Sequence, residues 1–398
     1  MPASAVSEDL PTLFVEFGLL LVLLGVLARV AHRFGFSAVP FYLLGGLLLG
    51  NGGAVPVDLE GTLVPTLAEL GVILLLLLLG LEYSGREIVD HARRQLLPGL
   101  VDVVLNALPG VVFALLFGWG VAGAVALGGI TYISSSGIVS QVVRDLRWRR
   151  NPETGPVVSI LVIEDLVMAP YLPLLTVVLT GTGLVSGIIS VSVALIVVGI
   201  VLVIAVKRSD WSTSYFRASE PVGLLLVVFG LAVAAAGVAG LLNFSSAVAA
   251  FLVGLLLTGE VAEIARRRLD PLRELLAAVF FAYFGLVTDP RELPAVLLPA
   301  LVLAAVTILT KFVTGWYAGS IVRGGTISRL RAGALLTARG EFSVIIAGLV
   351  AVSGALPGDF SALVAAYVLI TATVGPLLAR YAEPVGWWWE QRPARASR

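Results

Sequence analysis

Cysteine is absent from the 398-residue chain. That excludes disulfides, thiolate metal sites and cysteine-held iron–sulfur centres. Histidine is nearly absent. His32 and His91 are the two in the chain, and each lies near arginines in a segment connecting apolar runs, so no histidine-based metal centre is expected. Charge is scarce too: 13% of residues are charged, against roughly a quarter in a soluble globular domain. The formal net charge is zero and identifies no partner; no nucleic acid and no cofactor is expected. The first ten residues, MPASAVSEDL, carry Glu8 and Asp9 but no base. A cleavable signal peptide would open with positive charge, so the first apolar run is expected to stay in the membrane.

What fills the chain instead is hydrocarbon. Hydrophobic residues make up 58%, and the mean hydropathy is +1.01. Leu166–Val206 and Pro221–Gly259 carry no charge, and each is long enough for two crossings at about 20 residues per ~30 Å of hydrocarbon. Thirteen spans are predicted: 11–31, 36–52, 63–83, 96–118, 121–142, 154–181, 184–206, 221–239, 241–258, 274–287, 294–321, 331–353 and 360–382. With that count, 23 of the 26 basic residues fall on one side, among them Arg144, Arg147, Arg149, Arg150 and Arg266–Arg268. The opposite side keeps Arg291, while Lys311 and Arg339 fall within spans. The positive-inside rule then puts the N-terminus outside and the C-terminus in the cytoplasm, in a multi-pass protein of the cell membrane.

The halves of the chain echo each other. Glu69, Gly80, Arg86 and Glu87 recur 205 residues later as Glu274, Gly285, Arg291 and Glu292. Thr131 and Pro170 recur 206 residues later as Thr337 and Pro376. The expected fold is therefore an all-α membrane protein of 13 transmembrane helices, with two inverted six-helix repeats joined by a linker helix and two interrupted crossing helices. The first repeat with its connector covers 1–206, the second covers 221–382, and 383–398 form a cytoplasmic tail. An odd connector span inverts the second copy, an architecture of secondary transporters whose site lies near midplane at the repeat interface.

Charges at membrane depth are costly, so each asks for a reason. Glu164 and Asp165 sit side by side in the sixth span, VSILVIEDLVMAP. Desolvation favours the neutral acid and a bound cation favours the carboxylate, so one group can hold a proton or an alkali cation in turn. Competition of that kind is antiport. Lys311, in VTILTKFVTG, needs a buried counter-charge, and Asp165 or Glu164 is the natural candidate; a permanent structural pair is the other reading. The fifth span reads GGITYISSSG. Its glycines and hydroxyls suit an unwound stretch in which Thr131, Ser134, Ser135 and Ser136 offer oxygen ligands, or else a small-residue packing face. The twelfth answers with TARGEFS, where Arg339 and Glu341 are expected to neutralise each other and satisfy broken backbone at a helix crossing. Asn243, Ser245 and Ser246 open the ninth span as a polar helix start. Glu16, Asp102 and Asn106 are further intramembrane polar groups, fitting packing or subunit contacts as well as function.

These residues, taken in order, resemble the monovalent cation:proton antiporter family, in its second branch of bacterial sodium/proton and potassium/proton exchangers. The resemblance runs the length of the chain. It implies that Asp165 is the essential carboxylate, that Lys311 is the family's intramembrane lysine, and that Thr131, Ser134–Ser136 and Ala338–Ser343 mark two interrupted helices. It further implies a homodimer, with dimerisation and core domains each drawn from both repeats, and elevator-like alternating access. Glu164-Asp165 departs from the Asp-Asp of electrogenic sodium exchangers and the Gln-Asp of Kef-type systems. It looks more like the KhtU-type potassium/proton antiporters, which favours potassium over sodium. The sequence stops at Arg398, so the cytoplasmic nucleotide-binding domain of Kef-type proteins is expected to be absent, truncated away or supplied by a separate regulatory subunit. A cation channel of the same fold, an intramembrane enzyme and an organic-anion symporter are the competing classes. The acidic pair argues against the symporter, and the lack of a catalytic dyad against the enzyme.

Overall fold

The computed structural model describes residues 10–50, 52–55, 63–82, 85–180, 196, 200, 203, 221–241, 246–322 and 325–395. Regular structure among these residues is helical. In chain order the helices are α1 (Leu10–Phe34), α2 (Val39–Leu49), α3 (Val64–Glu82), α4 (Gly85–Leu116), α5 (Gly120–Tyr132), α6 (Ser136–Asp145), α7 (Thr154–Thr180), α8 (Pro221–Leu241), α9 (Ser246–Leu256), α10 (Gly259–Leu286), α11 (Leu293–Ile321), α12 (Thr326–Leu336), α13 (Glu341–Ser353) and α14 (Gly358–Arg395). Among the described residues seven helical stretches are long and apolar enough to cross a membrane, with α5–α6 and α12–α13 each forming one. The expected seventh span lies outside the described residues apart from 196, 200 and 203. Asn243, Ser245, Lys207, Arg208, Arg217 and Arg323 lie outside them as well.

Three boundaries differ from the hydropathy reading by more than ten residues. α4 begins at Gly85 rather than at 96, α10 at Gly259 rather than at 274, and α14 runs on to Arg395 rather than ending at 382. Hydropathy ends where the bilayer ends, but backbone hydrogen bonding does not. Outside the apolar part of α10 the helix carries its own ion pairs, Arg267–Glu263 at 3.0 Å and Arg273–Asp270 at 3.5 Å. Pairs of this spacing support a helix exposed to water.

The chain divides into two compact units, one within Met1–Gly85 and Val197–Arg291, the other within Arg86–Ile196 and Glu292–Arg398. In the first, α3 is the centre: Leu74, Leu77, Leu78 and Leu81 pack with Ala250, Val261, Ala265 and Leu269. From Gly71 to Leu81 no residue of α3 is exposed, and a stretch so enclosed can be apolar on every side. α8 meets it with Leu224, Val228, Ala232 and Ala236, one residue per turn, while Val222, Leu226 and Leu231 face outward.

The second unit is built around two broken helices. α5 and α6 are separated at 133–135, α12 and α13 at 337–340. Two helix-to-helix approaches bring their flanks in close. A Cβ at Gly110 of α4 would collide with the Leu127 carbonyl and the Thr131 hydroxyl of α5. One at Gly315 of α11 would collide with the backbone of Gly333 in α12. Side-chain-free contacts of this kind let membrane helices pack backbone to backbone. At the start of α7, Glu153 accepts from Arg331 at 3.2 Å and from Ser328 at 2.7 Å. Arg331 also reaches Glu383, to which Trp148 donates at 3.0 Å. This clasp ties α7, α12 and α14 together next to the basic loop Arg147–Arg150.

Candidate ion-binding site

Breaking a helix inside a membrane frees backbone groups that have no water to turn to. Here the two breaks satisfy each other. Ser135 N–H donates to the Ala338 carbonyl at 2.8 Å, and the single hydroxyl proton of Ser134 is shared between the Leu336 carbonyl at 2.9 Å and Glu164 Oε1 at 3.1 Å. Ser343 Oγ donates to the Ile130 carbonyl at 3.1 Å. Ser135 caps α6, its Oγ accepting from Ile138 N–H at 3.3 Å.

The charged pair of the twelfth span is divided between the ends of these broken helices. Arg339, fully buried, donates through Nη1 to the Leu336 and Thr337 carbonyls at 2.9 and 3.0 Å. Its Nη2 donates to the Thr131 carbonyl at 2.8 Å. One guanidinium thus covers the C-terminal ends of α5 and α12, where carbonyls and the helix dipole are negative. Glu341 stands in the first turn of α13, and its Oε1 lies 3.4 Å from where a Cβ would stand on Gly137, in the first turn of α6. A carboxylate beside two helix N-termini is the matching arrangement at the positive ends.

α7 passes this crossing with its acidic pair. Glu164 is fully buried and Asp165 nearly so. Glu164 Oε1 accepts from Lys311 Nζ at 2.6 Å and from Ser134 Oγ at 3.1 Å, and its Oε2 accepts from the Ser134 backbone N–H. The nearer counter-charge of the lysine is therefore Glu164, one of the two candidates. Asp165 follows about 100° around the helix. Tyr132 holds its ring 5.5 Å from Lys311 Nζ, within cation–π range.

Among the expected oxygen ligands, Ser134 alone bonds Glu164 directly. Thr131 Oγ1 donates to the Gly128 carbonyl at 3.2 Å, within its own helix. Ser135 is engaged as a cap, and Ser136 is half-buried at the first position of α6. Two residues without an assigned role join the cluster. Asp102 Oδ1 accepts from Lys311 Nζ at 3.3 Å, and Asn106 Nδ2 donates to that same oxygen at 2.7 Å and to Thr314 Oγ1 at 3.0 Å. A signal for them existed: Asp102 and Asn106 are four apart on one face of an apolar span, and Asn106 stands 205 residues before Lys311, in register with the internal repeat. The arrangement is a buried cluster of one ammonium and two carboxylates beside the crossing of the broken helices.

Comparison with known proteins gives the chain its relatives. The family model described as sodium/hydrogen exchanger, transmembrane, matches residues 19–380. The K(+)/H(+) antiporter subunit KhtU of Bacillus subtilis (strain 168) is 28% identical over 377 residues, covering 92% of this chain and 93% of that protein. The ammonium/H(+) antiporter subunit AmhT of Alkalihalophilus pseudofirmus is 31% identical over 388 residues, covering 94% of each. Among solved structures, the sodium proton antiporter MjNhaP1 from Methanocaldococcus jannaschii shares the fold, with a TM-score of 0.68 at 17% identity over 96% of this chain and 98% of that one.

Proposed function

This chain belongs to the transmembrane sodium/hydrogen exchanger family, and from that premise we propose that it exchanges potassium for protons by alternating access, with Asp165 and Glu164 holding the cargo. At the coarser level it is a multi-pass, all-helical membrane protein and a cation/proton antiporter. The observation that carries the finer reading is the buried Glu164–Lys311 pair, 2.6 Å long, beside a buried Asp165 at the crossing of two broken helices.

The cycle follows from charge balance. A cation entering from one side needs carboxylate oxygens, and the Ser134 hydroxyl and freed carbonyls of the crossing are further oxygen donors nearby. A cation on Glu164 competes with the Lys311 ammonium, and one on Asp165 competes with a proton. Binding therefore releases a proton, and on the other side the reverse exchange discharges the cation. Arg339 and Glu341 serve the crossing rather than the cargo, since they stand at its helix ends.

Potassium is favoured by Glu164-Asp165 and by the likeness to KhtU. Ammonium is the second reading, favoured by the 31% identity to AmhT, because the two ions have nearly the same radius; sodium is the third. Both relatives are named as antiporter subunits, which supports a separate regulatory partner.

Close glycine contacts support the inverted repeat. Gly46 packs on Ala282, Leu286 and the backbone near Gly285, and Gly254 packs on Gly80. Gly80 and Gly285 are themselves 205 residues apart, so one contact repeats the other with the halves exchanged. The outward face of α1, with Phe14, Leu19, Val22 and Val26 exposed, suits lipid or a second copy. The N-terminus is read as outside and the C-terminus as cytoplasmic from the arginine asymmetry.

The test uses purified protein in vesicles carrying a pH-sensitive dye. Adding potassium, ammonium or sodium separately to an imposed proton gradient should dissipate it, potassium at the lowest concentration. Asp165→Asn should abolish this while the protein still elutes as one species. Exchange at the wild-type rate in that variant would overturn the assignment, and current without proton movement would indicate a channel.

A further inference from the structure

Lys311 has two carboxylates, and the cycle described above employs one of them. Its ammonium donates to Glu164 at 2.6 Å and also to Asp102 at 3.3 Å, and all three side chains are buried. Asp102 stands on α4 and Glu164 on α7, so the lysine of α11 bridges two helices. Asn106 pins the Asp102 carboxylate by donating to its Oδ1, and is itself held by Thr314. Asp102 Oδ2 and Asn106 Oδ1 are buried and accept no hydrogen bond among the described residues. A buried carboxylate with an oxygen in reserve is an expense that packing alone does not explain.

The difficulty it resolves is where the ammonium goes. A cation bound at Glu164 would face the positive charge of Lys311 across a few ångströms of low-dielectric interior, where like charges repel strongly. The lysine is wholly buried and has no water to retreat to. Asp102 Oδ1 is already within reach, and Oδ2 is open. We propose that Asp102 is a positioning residue that receives the Lys311 ammonium when a cation occupies Glu164. The lysine is then handed from the carboxylate of α7 to that of α4, and the cost of displacing it is offset where it stands. This inference rests on the reading of Glu164 and Lys311 as parts of the exchange site.

The experiment measures potassium binding to purified protein, as the concentration giving half-maximal thermal stabilisation, alongside KM for exchange in vesicles. Asp102→Asn keeps the size of the side chain and removes its charge. It should raise the half-maximal potassium concentration and KM about tenfold, as expected for loss of one charge-assisted contact, with the maximal rate kept within a few-fold. Asp102→Glu should restore most of the affinity. In a Lys311→Gln background the same Asp102→Asn change should alter KM less than twofold, because there is no ammonium to receive; such coupling is what a double-mutant cycle reads.

A fall in maximal rate with unchanged KM, or an equal rise in KM in the Lys311→Gln background, would reduce Asp102 to a structural role and overturn the inference. Should Asp102→Asn fail to fold, Asn106→Ala, which frees the carboxylate from its clamp, must raise KM in the same direction, and no rise would overturn it. A wild-type protein that neither binds nor exchanges potassium would overturn the exchange reading and this inference with it. A wild-type response that Asp102→Asn leaves unchanged would overturn the inference alone.

Discussion

Replacing Lys311 with methionine keeps an unbranched side chain one atom shorter and deletes its charge. In the wild type that ammonium sits 2.6 Å from Glu164 and 3.3 Å from Asp102, all three buried. Removing one partner of a buried ion pair costs roughly 3–5 kcal/mol. Charge balance sets an independent ceiling. One ammonium offsets one unit of negative charge, so its loss leaves one more unit to be neutralised. A proton taken from water at pH 7 does so for about 1.36 kcal/mol per pH unit above an ordinary glutamate, or ~3.7 kcal/mol. The two figures agree at about 4 kcal/mol. In potassium-free detergent solution, followed by the fluorescence of the seven tryptophans, the melting point should drop on the order of 5 °C. Adding Glu164→Gln to Lys311→Met should recover part of the loss, because the orphaned charge goes with it. A Lys311→Met protein that melts with the wild type, or a double variant less stable than the single, would refute the reasoning.

The remaining predictions concern the crossing and the close helix contacts. Arg339→Ala strands the carbonyls of Leu336, Thr337 and Thr131 at about 1–3 kcal/mol each; it should yield little monodisperse protein on size-exclusion chromatography, and a normal yield with wild-type melting would count against the capping role. Gly315→Val drives a side chain into Gly333, one turn from Lys311, and should lower both the melting point and potassium affinity. Gly230→Val, on α8 with open space around it, should change neither, and equal effects from the two would remove the argument from close packing.

Much of the candidate site could be read from residues because membranes punish charge. Glu164, Asp165, Lys311, Arg339 and Glu341 stand out in runs that otherwise carry none, and a hydrocarbon solvent makes every such residue conspicuous. The glycines and hydroxyls of 128–137 likewise announced a place where a helix could break, and α5 and α6 part at 133–135. Asp102 and Asn106 were visible as polar groups, yet their task was not. An isolated aspartate in a span says that a partner exists, never which one, and its partner here is 209 residues away. Arg339 and Glu341, two apart in the chain, invite pairing on paper; that the guanidinium also reaches the free carbonyls of two helix ends could not be read there.

Composition and order alone settled the solvent of this protein. A chain so poor in charge and so rich in uncharged stretches can bury its surface in lipid and nowhere else, and within lipid its backbone must coil into helices. Where each helix stops was beyond that reasoning, since hydropathy reports depth and not hydrogen bonding, as the charged first turns of α10 and the extension of α14 to Arg395 make plain. Pairings were beyond it too. Which carboxylate holds Lys311 depends on how α4, α7 and α11 approach one another, and that approach involves contacts such as Gly99 of α4 on Ile163 of α7, made between residues whose identity carries no charge and no direction.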